Sequence, residues 1–591
     1  MVRKLLAILS FQCLLCTAFA ANYLTFTAEE DGSQFGIKNH RGNNPDLEYS
    51  LDGGITWTQL TEAETVTLEH KGDKALLRGE NPNGFCIVEE EVLKYTEFQM
   101  QGLIKASGSV MSLIDGVGES VTIPSTQCFC NLFSGCSDLT QAPELPATTL
   151  ETYCYQYMFS GCSKLTEAPK LPATTLADGC YYSMFSGTGI VSTPQLPATN
   201  LCDRCYEGMF CNCYNLVSVS ELPAVNLSKF CYAQMFFGCK NLVRVPTLPA
   251  TSLSGYCYYG MFMRCSGLVS APAIRATSMD YWSCYEMFED CESLVYAPSM
   301  SATVLGESCC CLMFANCVNL RKAPSLPATT LADRCYRQMF SGCKNLEYAP
   351  SLPATIMESE CYEYMFRNCT NLASAPSLPA TTLADNCYSG MFMNCTSLVE
   401  APALPATSFV DKSNIFSSYS AYEEMFSGCT SLTKAPTLPA TILGSSCYRR
   451  MFKKCGNLSE IKVYLPSWRE EDDDEDSWTV DWLADVAPTG TFICPKELPI
   501  EYGPSRIPEG WNVVYIGEDE AVEDIANVNN RVWTDGLNLY VRYAGDVEVY
   551  DLNGKQIYKG HSDVDSPMCL SMPAHGVYVV KIGGKSSKVE L

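Results

Sequence analysis

A unit of 26 residues recurs through the middle of this chain, and no other feature constrains the fold as strongly. Aligned on the Phe of a Met-Phe pair (Leu-Phe in the first copy), thirteen copies stand at Phe133, Phe159, Phe185, Phe210, Phe236, Phe262, Phe288, Phe314, Phe340, Phe366, Phe392, Phe426 and Phe452. One step is 25 residues, Phe185 to Phe210, and one is 34, where the stretch Phe409 to Ser420 holds eight extra residues. So short a unit has no interior of its own. It becomes stable when neighbours stack and their apolar faces merge into one core. In the copy from Cys335 to Thr355 the apolar positions are Cys335, Met339, Phe340, Cys343, Leu346 and Leu352. The first three, spaced i, i+4, i+5, predict one or two helical turns against the core. Leu346 to Leu352 should carry a short extended segment, limited by Pro350 and Pro353 because proline cannot donate to a ladder.

The unit pattern F-S-G-C-x-x-L-x-x-A-P-x-L-P resembles the bacterial leucine-rich repeats of the BspA type, whose units read A-F-x-x-C-x-x-L-x-x-I-x-I-P. The resemblance covers roughly residues 124–466. It departs in two places: Met replaces the Ala before Phe, and Pro occupies a strand position. The resemblance implies an α/β solenoid of leucine-rich repeat type, about 13 repeats of 26 residues, flanked by small β domains. It also implies a surface-exposed protein associated with adhesion to host proteins, cells or other bacteria.

Cysteine is the second conspicuous feature, with 34 in the chain and 29 inside the repeats. Most fall in two columns, represented by Cys335 and Cys343, five residues before and three after the Phe. In an exported protein such richness first evokes a disulfide framework. Geometry argues otherwise, because equivalent Cβ atoms on stacked coils stay near ~4.8 Å whereas a disulfide wants about 3.8 Å. Thr188 and Ala421 also replace Cys without a paired loss nearby. Ladders of small buried thiols are the preferred reading. Cys202, Cys205, Cys211 and Cys213 have zinc-like spacing, but two of these are column positions in any case, so no metal or cofactor is expected there.

Tyr follows the inward Cys directly at Tyr155, Tyr181, Tyr206, Tyr232, Tyr258, Tyr336, Tyr362 and Tyr388, and should therefore point sideways or outward. Two readings stay open. Each ring covers its neighbour's edge, or the stripe is a ligand-binding face that stacks sugars or anchors a protein, since Tyr offers rigid amphipathic contact area. The Pro-Ala-Thr corner also repeats, and its threonine most simply bonds local backbone at a turn.

Residues 1–20 read as a secretory signal: Arg3 and Lys4, an apolar run from Leu5 to Leu15, then Ala18-Phe19-Ala20 as a cleavage site. Cys16 raises a lipoprotein alternative, although Leu15 stands where a small residue is wanted. Residues 21–123 alternate as strands and form a β-rich cap domain; within it Ser50 to Trp57 matches the Asp-box pattern S-x-D-x-G-x-T-W, a structural hairpin. The repeats fill 124–466, and residues 467–517 hold the acidic loop Glu470 to Asp476 and a closing segment. Residues 518–591 form a small β domain whose Val547 to Lys555 hairpin and Gly576 to Lys581 strand are similar to the C-terminal sorting domain of type IX secretion. That resemblance implies passage across an outer membrane, then release or surface attachment.

The net charge of −26 disfavours nucleic acid and anionic membrane as partners, since both demand a basic face. The acid belongs to the flanks: 17 acidic against 7 basic residues in 21–123 and 24 against 10 in 467–591, while the repeats are nearly balanced. The four histidines, His40, His70, His561 and His575, all lie outside the repeats, so no catalytic site using imidazole can be built on the array. The expected protein is therefore a non-enzymatic one, secreted or at the outer cell surface, that binds a host or bacterial surface protein through its repeat face. A carbohydrate-binding surface protein using the Tyr stripe is the alternative, and an enzyme sited in the N-terminal domain comes third. No stretch after the signal is long and apolar enough to span a bilayer.

Overall fold

The computed structural model describes residues 21–407, 420–441, 443–468 and 478–516, and from there the segments 532–535, 538–541, 545–551, 555–562, 568–572, 577–582 and 585–590. The signal segment, the acidic run Glu470 to Asp476 and most of the Phe409 to Ser420 insertion lie outside the described residues. Contacts divide the chain into two units, Met1–Val513 and Val514–Leu591.

The first unit begins with two sheets. Strands β1 (Leu24–Ala28), β2 (Ser33–His40), β3 (Glu48–Ser50), β4 (Thr58–Gln59), β5 (Thr65–Leu68), β6 (Lys74–Arg78), β7 (Ile87–Glu89), β8 (Val92–Gln101) and β9 (Ile104–Ser107) precede α1 (Ser112–Asp115) and β10 (Leu139–Gln141). One sheet runs β10-β9-β1-β6-β3-β4 and the other β5-β2-β8-β7. Alternating side chains such as Leu24, Phe26, Phe35, Ile37 and Phe98 fill the space between them, with Phe26 edge-on to Phe35 and Phe98. Strand β10 belongs to the first repeat and pairs in parallel with β9. The repeat array therefore starts on the domain's own sheet, and Phe98 stacks on Phe133 at 5.2 Å.

Each repeat is one coil stacked on the next, and the coil is not helical where a helix was expected. From Arg334 to Cys343 the backbone is a succession of tight turns. Left-handed φ recurs every fourth residue, at Arg334 (55°), Gln338 (54°) and Gly342 (76°). Alternate N–H groups fold back by three residues, as in Arg337 N to Arg334 O at 3.1 Å and Met339 N to Tyr336 O at 3.2 Å. The N–H groups between them cross to the next coil: Arg334 to Ser359, Tyr336 to Cys361, Gln338 to Glu363, Phe340 to Met365 and Gly342 to Arg367, all at 2.7–3.1 Å. A helix would close its hydrogen bonds within the segment and leave successive coils unconnected. Helices and these turns share an i, i+4 spacing, so the apolar pattern alone does not separate them. The α/β class is corrected accordingly: among the described residues α1 is the one α-helix, and it lies outside the coils.

The extended side of each coil is equally short. Parallel bridges join Tyr296 to Lys322 and Lys322 to Tyr348, and two-residue strands Ser252–Leu253, Ser278–Met279 and Val304–Leu305 form a small parallel sheet. Pro350 and Pro353 have no N–H to offer, which confines the ladder to isolated bridges.

Inside, the columns stack in register. The Phe rings from Phe133 to Phe452 lie face to face at 5.3–5.9 Å from coil to coil. The 25-residue step and the 34-residue step keep the same ring spacing of 5.6 Å. At the far end Tyr448, Arg450, Phe452 and Lys454 donate to Trp478, Val480, Trp482 and Ala484, and the fully buried Trp482 lies over Tyr448. The carbonyls that a next coil would supply thus come from a closing segment.

The second unit contains antiparallel strands, with Gly545–Asp551 between Gln556–Ser562 and Val577–Ile582, and Lys585–Glu590 beyond. Leu539, Val541, Val547, Val549, Val580 and Ile582 form its core.

Removing one ring from the middle of the Phe column leaves a cavity between two stacked neighbours. Phe314→Ala is expected to cost about 3–5 kcal/mol. A urea melt followed by circular dichroism should show a large drop in midpoint; an unchanged midpoint would contradict the stacked core.

Candidate functional site

The turn segment alternates two residues in, two residues out. In the coil of Phe340, Cys335 and Tyr336 are buried, Arg337 and Gln338 are half-buried, and Met339 and Phe340 are buried. This alternation corrects the expected tyrosine stripe. Tyr155, Tyr181, Tyr206, Tyr232, Tyr258, Tyr336, Tyr362 and Tyr388 are each 1–2% exposed. Their rings stack at 5.7–6.1 Å wherever consecutive coils both carry one. They face inward because the residue after an inward Cys shares its side of the turn. A ring so enclosed has no face for a ligand.

What the coils do present outward are the columns of Arg334, Arg337 and Gln338, which change chemistry along the array. Before Arg334 the same column holds Gly179, Arg204, Phe230, Tyr256, Trp282 and Ser308. An aromatic cluster results. The Arg204 guanidinium lies 4.1 Å from the Phe230 ring centroid, Phe230 stacks on Tyr256 at 4.3 Å, and Tyr256 stacks on Trp282 at 5.6 Å. In the neighbouring column Tyr259 stacks on Tyr285 at 5.6 Å, and Trp282 meets Tyr285 at 4.4 Å. Phe230, Tyr256 and Trp282 occupy left-handed φ of 55–59°, a conformation that bulky side chains rarely adopt and that costs roughly 1–3 kcal/mol each. The same left-handed φ recurs at this position in other coils, as at Arg204 (57°) and Arg334 (55°), so what sets this stretch apart is its run of outward aromatic side chains.

The coil of Trp282 also departs from the inward pattern. Ser283 and Cys284 stand where Cys and Tyr stand elsewhere, and the aromatic appears one residue on, as the outward Tyr285. The following coil has Cys309 and Cys310 in those slots. Sulfur fills the vacated interior, with Cys310 Sγ 3.6 Å from Met279 Sδ.

Carboxylates border the aromatics. Burial raises Glu286, while Tyr285 and Tyr259, which hydrogen-bond to it, pull the other way. Burial first, then Glu286 and Asp290, push Glu289 up to about 7. Arg264 acts on both but is committed to Asp290 at 3.4 Å. Farther along, the outward columns become ion pairs: Arg334 with Glu360 at 2.7 Å, Arg337 with Glu363, Arg450 with Glu424 at 3.5 Å.

Other candidates resolve into structure. A cleft of about 270 Å³ in the N-terminal domain is lined by Asp46, Glu48, Arg78, Glu80 and Asp115 among others. Arg78 pairs with Glu48, Asp46 accepts the Glu80 N–H, and Asp115 accepts those of Val117, Glu119 and Ser120, so these groups hold the backbone. Asp52 of the Asp-box accepts bonds from Ser50, Ile55 and Thr56, which hold it well below the usual carboxylate range. His40 stacks on Tyr95 and lies 3.2 Å from Glu97.

Among the described residues the cysteines form no disulfide and are nearly all buried, and burial pushes Cys387 up to about 12. From Cys162 onward each thiol of the Cys343 column donates to the Phe carbonyl one coil earlier, as in Cys343 Sγ to Phe314 O at 3.1 Å. Cys202 Sγ likewise donates to Leu176 O at 3.1 Å, and Cys211 sits beside Asn212. Among the described residues no group of three or more His, Cys, Asp or Glu is arranged to hold a metal ion.

Residues 126–269 and 283–423 match the family of BspA type leucine rich repeat regions, in six copies. The match supports a BspA-like leucine-rich repeat array. No curated protein matches the chain. A solved structure titled "Crystal structure of TLR13-ssRNA13 complex" aligns at 12% identity with a TM-score of 0.20, over 66% of this chain and 52% of that one. The aligned part thus spans about half the length of that solved chain.

Two outcomes follow. Tyr362→Ala should destabilise the array by about 3–5 kcal/mol, as loss of a large buried side chain does, so any lost binding would be accompanied by a lowered melting midpoint. The raised Glu289 makes stability pH-dependent with a definite sign. A carboxyl that holds its proton more tightly when folded favours the native state at acid pH, and that advantage is lost as pH rises through about 7. Glu289→Gln should therefore melt close to wild type at pH 5 and higher than wild type at pH 8; equal melting at both would contradict the burial of this carboxyl.

Proposed function

We propose that this chain is an exported surface protein whose leucine-rich repeat array captures partner proteins on the outward turn face. The observation that carries this reading is the contrast between columns. Inward positions repeat the same residues from coil to coil, whereas the Arg334, Arg337 and Gln338 columns pass from aromatic to acidic to ion-paired. The outward face therefore offers a partner a different set of groups at each stretch of the stack. The family match is consistent with surface binding, and among the described residues no helix is long and apolar enough to cross a membrane. Export rests on the signal-like residues 1–20, and attachment or release on the C-terminal unit with its resemblance to a sorting domain.

Glycan binding is a second reading, and it now rests on half-buried outward aromatics such as Tyr153, Tyr157 and Tyr182 in place of the enclosed stripe. The two separate in one experiment. The full mature chain would be screened against extracellular-matrix proteins and a glycan array, and the bound complex mapped by hydrogen exchange. Protein ligands with protection along the turn face are expected. Protection confined to the proline-rich side of the coils would refute the reading.

A further inference from the structure

The Trp282 end of the aromatic column is built differently from its other end. At the start, Arg204 covers Phe230, so a guanidinium of the protein's own closes the stack. At the finish, the coil after Trp282 and Tyr285 supplies Ser308 and Cys311 in the same two columns, a small hydroxyl and a thiol that are both buried. Neither is a cation or a ring. Beside this end stand Glu286 and Glu289; Arg264 acts on both and pairs with Asp290 at 3.4 Å.

We propose that the patch around Trp282 and Tyr285 receives a basic segment of a partner protein, seating an arginine or lysine side chain against the two rings with its charge toward Glu286 and Glu289. This deepens the turn-face reading and rests on it.

Cations near ring faces are attracted by the ring quadrupole, and the protein already uses this pairing at Arg204–Phe230 and Arg78–Trp57, the latter at 4.0 Å. Among the described residues neither Glu286 nor Glu289 forms a close ion pair, and half-buried carboxylates in that state are complementary to a cation and repel an anion. The coil also moves its aromatic from the interior slot held by Cys284 to the outward Tyr285.

The array itself supplies variants compatible with the fold. Asn386 occupies the Trp282 column at φ 52°, Ser389 the Tyr285 column, and Gln338 the Glu286 column at φ 54°. Trp282→Asn, Tyr285→Ser and Glu286→Gln therefore place residues where other coils already hold them. The full chain would be titrated with a fluorescein-labelled peptide of four Arg-Ser repeats, read by anisotropy, with an Asp-Ser peptide and chitohexaose as competitors. The net charge of −26 draws basic peptide to other surfaces as well, so the comparison with variants is what decides. Affinity should fall about tenfold in Trp282→Asn and in Glu286→Gln, with cooperative melting retained and neither competitor displacing the peptide. Equal affinity in the variants, or displacement by chitohexaose, overturns the proposal. If another protein partner protects the turn face while the Arg-Ser peptide is indifferent to Trp282, this inference falls and the broader reading stands.

Discussion

Backbone hydrogen bonds running from coil to coil are the constraint on which the rest of this architecture depends. A chain with neither long helices nor long strands still has to satisfy every buried N–H and C=O. Here alternate amides close a turn and the remainder reach the next coil, so the stack is itself the means of satisfaction. The side-chain columns are secondary to this. Rings superimpose because the crossing bonds hold successive backbones in register. The recurring cysteine fits the same logic. The Phe314 carbonyl already accepts the Cys317 amide, and the Cys343 thiol takes its remaining lone pair. Thr188, where it replaces Cys, turns its hydroxyl to the carbonyl of its own coil at 2.9 Å, a similar solution with a different reach.

Much of the interior was legible in the sequence. Cys335, Met339, Phe340, Cys343, Leu346 and Leu352 are all buried, as their recurrence implies. The conformation linking them was not, because helices and four-residue turns put the same positions on one side. The signal that could have separated them is the Gly or Asn two residues after the Phe, at Gly342, Asn316 and Asn368, since these residues tolerate left-handed φ and have no such role inside a helix. Missing that turn misplaced the tyrosines. In-out alternation suits a strand, whereas here neighbours such as Cys335 and Tyr336 share the interior. The outward aromatics were present in the sequence as Trp282, Tyr285 and Tyr256, but only the turn geometry shows that they gather. The masking of this signal is physical: a surface that varies from coil to coil has no period to detect.

Core and face thus obey opposite rules. The interior tolerates few substitutions because each ring touches the next, while an outward residue meets only its column neighbours and solvent. Where the face changes most, the interior gives way too: the stacked tyrosines are interrupted by Cys284 and Cys310, and Met279 closes toward the gap. Such adjustment is local, because each coil contacts chiefly the coils beside it.

The ring spacing is indifferent to how many residues separate two coils. Steps of 25, 26 and 34 residues all give spacings within a narrow range, and Cys429 still reaches the Phe392 carbonyl at 3.1 Å across the longest one. The array therefore counts coils and not residues. Slippage or recombination in the encoding DNA that adds whole units, or lengthens a loop between anchor columns, leaves every hydrogen-bond partner in place. Proteins built this way can diversify in length and displayed chemistry at the pace of genetic rearrangement, without waiting for compensating changes in the core.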